Sequence, residues 1–303
     1  MQIVCPDCHA ELKRGSDGGL RCSGCGAYFP RVAQVDVLMD NEQWSSMLGY
    51  RARHEGALER YSEVRRNSPL TIMYYDWWVE RLLSLMPSAR GCRFLELMCG
   101  DAEISRRAGK LFSEIAAIDL DVRAVERAAC ALREQGWPCV HAVCANAARL
   151  PLADNSIDII AVQGALHHAR PVLPQIVSEI SRVLRPGGVL VGSEPANDSR
   201  LIERIRRWQY SRTSLHDKDE AGFTREELRS LFSEHGMRLE EYKLFGHVAY
   251  PLMCNTDLIS LLARCRRRWL GSALLGLDWF FERLPVVRGA AWVSSFRAVN
   301  EKQ

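Results

Sequence analysis

From residue 89 onward, apolar positions fall in short runs, separated by longer stretches in which they recur every three or four residues. The runs "CRFLELM", "EIAAIDL", "CVHAVCAN", "IDIIAVQGAL" and "VLVGSEP" predict strands. Between them, "ISRRAGKLF", "VRAVERAACALREQG" and "PVLPQIVSEISRVL" have helical spacing and predict helices, and "RPGG" predicts a turn into the last of these strands. Strands alternating with helices predict an α/β fold with a doubly wound, mostly parallel sheet. Such sheets bind ligands beyond the C-terminal ends of their strands, so the residues that follow each strand carry the functional question.

The pattern changes on both sides of this segment. Residues 1–40 hold two CxxC pairs and read as a small metal module. Residues 41–88, rich in Arg, Tyr and Trp, read as a helical linker or lid. Residues 89–303 form the main domain, with a helical insertion at about 250–288 before a final strand "AAWVSSFRAV". Tyr74, Tyr75, Trp77 and Trp78 lie in "YYDWWVERLLSLM", either in a lid over an acceptor or, the favoured reading, in an amphipathic helix packed on the core.

Composition sharpens the picture. The 303 residues are 47% hydrophobic, enough for one large domain and a small one. A net charge of +3 is too small for nucleic-acid binding over the whole surface. "MQIVCPDCHA" lacks the basic-then-apolar pattern of a secretory signal. The longest apolar stretch, "WLGSALLGLDWFF", is interrupted by Asp278 and falls short of the roughly 20 residues that span a bilayer. A cytoplasmic protein is expected, touching a membrane at most peripherally, through 258–284. Its 11 cysteines are then thiols or metal ligands.

Cys5, Cys8, Cys22 and Cys25 form two CxxC knuckles, and two intervening residues let both sulfurs of a pair face one ion. Four thiolates close the tetrahedron of a structural Zn2+ and leave no open position for catalysis. His9, directly after Cys8, is read as a bystander. The stretch "CPDCHAEL…LRCSGCGAYFPRVAQVDVLM" resembles short zinc ribbons fused to, or paired with, certain methyltransferases.

Between residues 94 and 194 several motifs occur in order: "FLELMCGDAE", "AAIDLD", "CANAARLPLADNSIDIIAVQGALHH" and "ISRVLRPGGVLVGSEP", with "FTREELRSLFSEHGMRLEEYKLF" further on. Together they resemble the class I S-adenosylmethionine-dependent methyltransferases. The resemblance implies a Rossmann-like, seven-stranded sheet and S-adenosyl-L-methionine as cofactor. A carboxylate at Asp119, ending the second strand, can accept from both ribose hydroxyls and is favoured over Asp121 for that role, while either aspartate could instead be the N-cap of the next helix. Leu120 adjoins it. Asn146 can hydrogen-bond the adenine edge or be a turn residue, with Ala147 next to it. Glu96 can attract the cofactor's ammonium group or be satisfied by backbone amides. Gln163 and Gly164 follow the fourth strand beside the methylthio region. The turn itself keeps one glycine, Gly100, while Met98 and Ala102 stand where the family has glycines. Met98 is expected to be the harder to accommodate, Ala102 adding only a methyl where the helix packs close. "MCGDAE" also lacks two glycines of an NAD-binding turn, and Asp101 would set a negative charge near the pyrophosphate.

His167 and His168, after the fourth strand, are the candidate bases, set against a structural reading as a hydrogen-bonded wall. His216 and His247 are further candidates, and Glu194, after the fifth strand, is placed to face the acceptor. Without an "N/D-P-P-Y/F" sequence after the fourth strand, adenine-N6 methylation is disfavoured. The leading expectation is methyl transfer to a small molecule, lipid or glycan, with oxygen the favoured acceptor atom. The first alternative is an RNA base methyltransferase that uses the ribbon and the arginines at 200–212 and 264–268. The second is a non-catalytic partner-binding protein on the same fold.

Overall fold

Five short strands open the chain: β1 (Leu12–Arg14), β2 (Leu20–Cys22), β3 (Tyr28–Phe29), β4 (Arg31–Val32) and β5 (Val35–Leu38). The structure, a computed structural model, describes residues 1–137, 140–210, 221–254, 265–285, 287 and 289–302. Strands β1 to β3 make a small antiparallel sheet around the cysteines. Two helices follow. In α1 (Asn41–Asn67) the Asp40 side chain accepts from the Gln43 amide, and in α2 (Pro69–Leu85) Ser68 accepts from Thr71 with Pro69 in the first turn. Both are ordinary N-cap chemistry, and they stop and restart the helix at Ser68.

The predicted alternation then runs as β6 (Arg93–Leu97), α3 (Glu103–Ala108), β7 (Glu114–Asp119), α4 (Val122–Glu134), β8 (Val140–Ala145), β9 (Ile157–Gln163), α5 (Leu173–Val183) and β10 (Leu184–Pro195). Next come α6 (Arg200–Tyr210), α7 (Arg225–Glu234), β11 (Met237–Phe245), α8 (Arg268–Phe281) and β12 (Val293–Asn300). Thr224 and Glu227 close a capping box at the start of α7.

The main sheet has the order β11-β12-β10-β9-β6-β7-β8-β5-β4. It is parallel from β10 through β5, and β12 runs antiparallel between β10 and β11. Among the described residues it has nine strands instead of the expected seven. The two extra ones are β4 and β5, with Asp36 to Leu38 lying parallel to Val143 to Ala145. Without them β8 would be a bare edge, and pairing there leaves Val35 and Val37 of β5 only 1% exposed.

Alternation along β6 feeds two cores. Leu95 and Leu97 join Ile118, Ile160 and Val177 on one face, together with Cys5, Leu20 and Phe29 of the ribbon. Phe94 joins Tyr74, Trp78 and Leu82 of α2 on the other. The α2 aromatics are therefore core: Tyr74 is 0% exposed, and the Trp78 indole donates to Ser193 Oγ at 2.8 Å.

Candidate functional site

The chain winds from β6 outward through β7 and β8, and from β9 outward through β10, so the topological switch point lies between β6 and β9. The residues just past these strands share one rim. Met98, Gly100 and Ala102 all take left-handed backbone angles there, with φ of 53°, 51° and 54°. Ala102 is thus under the same backbone constraint as Met98, which corrects the expectation that it adds only a methyl. The αL region costs a non-glycine residue about 1–2 kcal/mol.

Asp119 ties this turn to the next strand. Its Oδ2 accepts from the Gly100 amide at 2.8 Å and its Oδ1 from the Asp121 amide at 2.9 Å. Burial raises its pKa above the ordinary carboxylate value. A carboxylate has about four acceptor sites, so capacity remains beyond these amides for a ribose hydroxyl. Asp121 caps α4 by accepting from Arg123 at 3.0 Å, and Leu120 is 43% exposed beside Asp119.

Glu96 is 3% exposed, and its oxygens accept from the amides of Ile104 (3.0 Å) and Ser105 (2.7 Å). It caps α3, whose N-cap residue Ala102 has no side-chain acceptor. Burial pushes its pKa up to about 7. Asp101, 4% exposed, accepts from Ser62 of α1 (2.5 Å) and Arg127 of α4 (2.8 Å). Burial acts to raise its pKa, but the Ser62 hydroxyl and the cations Arg65 and Arg127 outweigh it and hold the carboxyl below the ordinary range.

Asn146 closes a turn: its Oδ1 accepts from the Ala148 amide at 2.9 Å. That oxygen retains one acceptor site, and Ala147 is buried next to it. Gln163 ends β9 with its Nε2 buried and without a hydrogen-bond partner. Nothing lies within 4 Å of where a Cβ would stand on Gly100 or Gly164, both at positive φ. An orphaned buried donor, open space beside two glycines and a carboxylate with spare acceptor sites fit a nucleoside-bearing cofactor.

Past β9, Glu194 at the end of β10 organises the next loop. It is fully buried, and its oxygens accept from the amides of Ala165 (2.9 Å), Leu166 (2.8 Å) and His167 (3.3 Å). Its Oε2 also lies 2.7 Å from His167 Nδ1. Burial works to raise the Glu194 pKa, yet the His167 contact brings it below the ordinary value. The His167 and His168 rings are 3.9 Å apart, His167 buried and His168 exposed. By sequence alone Glu194 reads only as a group facing the acceptor. Its hold on the loop spans 27 to 29 residues and leaves no local signal. His247 is half-buried just past β11, beside Phe281 of α8, and His216 lies outside the described residues.

The four knuckle cysteines come together as their spacing requires, with all sulfurs within 4.8 Å of one another. Cys22 Sγ accepts from the amides of Gly24 (3.3 Å) and Cys25 (3.4 Å). Burial pushes the Cys5 thiol up to about 12. At Cys22 burial also acts upward, but those amides outweigh it and bring the thiol down to about 6. The donor set fits a tetrahedral dication. Around it the ribbon grips the segment that follows Asn146: Ile3 bridges Leu152, the Val4 amide donates to the Pro151 carbonyl, and Asp7 pairs with Arg149 at 3.3 Å.

Residues 95–192 match the family model described as "Methyltransferase domain". Over 177 residues the chain is 30% identical to malonyl-(acyl-carrier protein) O-methyltransferase of Pectobacterium atrosepticum, covering 57% of this chain and 62% of that one. Over 129 residues it is 26% identical to demethylmenaquinone methyltransferase of Bacillus velezensis, covering 41% and 54%. The match thus spans less than two thirds of either relative. A SAM-dependent methyltransferase of Thermotoga maritima superposes with a TM-score of 0.53 at 17% identity, covering 82% of this chain and 98% of that one. The strand order is that of the Rossmann-like methyltransferase fold, and the segment from Leu95 to Gly192 is the part of the chain that matches the methyltransferase-domain family.

Proposed function

We propose that this chain transfers the methyl group of S-adenosylmethionine to an oxygen atom of a small molecule, a class that includes lipids and glycans. The observation that carries the reading is the buried Glu194–His167 pair, set on the same rim as Gly100 and Asp119. When bound, the cofactor supplies a methyl group activated by a sulfonium. Asp119 would hold the ribose hydroxyls, and the Gln163 amide would meet a cofactor acceptor. His167 would take the proton of an acceptor hydroxyl, and Glu194 at its Nδ1 would stabilise the imidazolium that results, a contribution of about 10²–10⁴ in rate. Alignment of the acceptor with the methyl carbon would contribute more, about 7–11 kcal/mol. The O-methyltransferase named above supports oxygen as the acceptor atom. We also infer that Cys5, Cys8, Cys22 and Cys25 hold a structural Zn2+.

The RNA reading draws less support. Arg206 is 4% exposed and donates to the carbonyls of Ala196 and Trp292, and Arg207 pairs with Glu203. Arg212 and Arg264 lie outside the described residues.

Calorimetry with S-adenosylhomocysteine tests the proposal. Micromolar binding that is lost in Asp119→Ala, with the fold intact, is the expected result. No binding at millimolar ligand overturns the enzyme reading and leaves the partner-binding alternative.

A further inference from the structure

Helix α8 is apolar on two sides. Its inward side sets Gly271, Leu274 and Asp278 against α2 and the chain near Met253. Asp278 anchors it, accepting from the amides of Val248 (2.6 Å) and Ala249 (3.1 Å), just past the end of β11. That strand end pairs with Val293, which pairs with Pro195 at the end of β10, so α8 is moored at the same rim of the sheet as the site.

The outward side is the unusual one. Trp269 is 64% exposed, Trp279 58%, Phe280 51% and Leu277 45%. Positions 269, 273, 277 and 280 follow helical spacing, so Trp269, Ala273, Leu277 and Phe280 line one stripe, with Trp279 beside it. Cations flank this stripe at both ends. Arg266, Arg267 and Arg268 are exposed before it, and Arg283 follows it with its guanidinium 3.6 Å over the Trp279 ring. The acids of the segment face elsewhere: Asp278 is fully buried, and Glu282 pairs with Arg81 at 3.1 Å. No helix among the described residues is long and apolar enough to cross a membrane. At 1.5 Å per residue α8 is about 21 Å long, which suits lying in an interface.

We propose that the outward face of α8 docks on an anionic lipid surface. Its aromatic rings enter the headgroup boundary, where Trp is favoured, and Arg266, Arg267, Arg268 and Arg283 meet lipid phosphates. The charge arrangement selects this occupant. An apolar stripe with cations at its ends, and no exposed acid among the described residues of the segment, complements a layer of negative headgroups over hydrocarbon. It gives a second protein no counter-charge to pair with along the stripe. The inference does not rest on the methyl-transfer reading, because lipid binding is measured without cofactor or acceptor.

Flotation of the full chain with phosphatidylglycerol-containing vesicles, and with phosphatidylcholine vesicles alone, tests it. The expected result is binding to the anionic vesicles that weakens as salt rises, with a blue shift of tryptophan emission. Trp269→Ser and Phe280→Ser should each weaken partition roughly tenfold. Removing the arginines (Arg266→Gln, Arg267→Gln, Arg268→Gln) should weaken it about fivefold apiece. These side chains are exposed, so unchanged thermal melting separates loss of binding from loss of fold. Three outcomes overturn the proposal. The chain fails to float with anionic vesicles, or Trp269→Ser with Phe280→Ser floats as well as the parent. In the third, the parent forms a concentration-dependent dimer that these changes abolish, making the face a self-association surface.

Discussion

The Glu194 carboxylate lies 2.7 Å from Nδ1 of His167, both groups buried, while the same carboxylate collects the amides of residues 165 to 167. One side chain thus fixes both the path of the loop after β9 and the orientation of its imidazole. Removing the histidine leaves a buried carboxylate with amide partners only. His167→Ala should lower unfolding free energy by about 3 kcal/mol at neutral pH, measured by urea denaturation. The Glu194 pKa is depressed in the fold, so this stabilisation is present above the unfolded carboxylate pKa and fades as pH falls through the folded one. The penalty should therefore shrink in acid. On activity, Glu194→Gln should move the acidic limb of the rate profile to lower pH, because the imidazole loses the charge that favours its protonation. An unmoved limb would remove His167 as the base.

Met98 and Ala102 share a backbone constraint but differ in what they bury. Ala102 is 0% exposed and offers little packing, so Ala102→Gly should stabilise by about 0.5–1 kcal/mol as the αL cost is relieved. Met98 packs against the core of the ribbon face. In Met98→Gly the loss of that packing should offset the backbone gain and leave stability nearly unchanged. Paired denaturation curves distinguish the two, and equal effects would contradict this division.

Glu96 gives a pH signature of the opposite sign to Glu194. Its folded pKa of about 7 lies above its ordinary value of 4.5, so the folded state binds the proton more tightly. The stabilisation is complete below the unfolded pKa and is lost as pH rises through 7, by at most about 3 kcal/mol. Glu96→Gln should flatten stability between pH 4.5 and 7 while keeping one oxygen to accept an α3 amide. A parent curve already flat over that range would refute the assignment.

The ribbon contacts residues 149 to 153, just after Asn146, and the strand that follows it, β5, pairs with the end of β8. Loss of the inferred Zn2+ should therefore be felt at the turn that Asn146 closes, where the cofactor's adenine is expected. A chelator, or Cys22→Ser, should expose the first 30 residues to protease and weaken S-adenosylhomocysteine binding severalfold. Readdition of zinc should restore both in the chelated parent. Metal analysis showing no bound zinc in the purified chain would dismiss this coupling.

The strands from Phe94 to Pro195 were legible because each is a short apolar run between turn residues, and burial on both faces demands that pattern. The cysteine cluster was legible for a similar reason: a CxxC knuckle is local chemistry. Asp119 is marked by position as the carboxylate ending the second strand, while the choice between Asp119 and Asp121 as helix cap fell to Asp121 only in the fold.

What the sequence left open involved partners far along the chain. Whether Glu96 faced a ligand or an amide pair depended on where the start of α3 came to rest, and the fold turned it onto Ile104 and Ser105. The pairing of Ser62 with Asp101 and of Glu194 with His167 crosses 39 and 27 residues. The addition of Val35–Leu38 to the sheet crosses about a hundred, and no periodicity records it. The sequence by itself determined the elements, the metal knuckles and the order of the strand-end residues, because hydrophobic period and turn chemistry act within a few residues. Only the tertiary structure decided which amides and cations each buried carboxylate serves. That depends on which distant amides and cations the packing brings within about 3 Å.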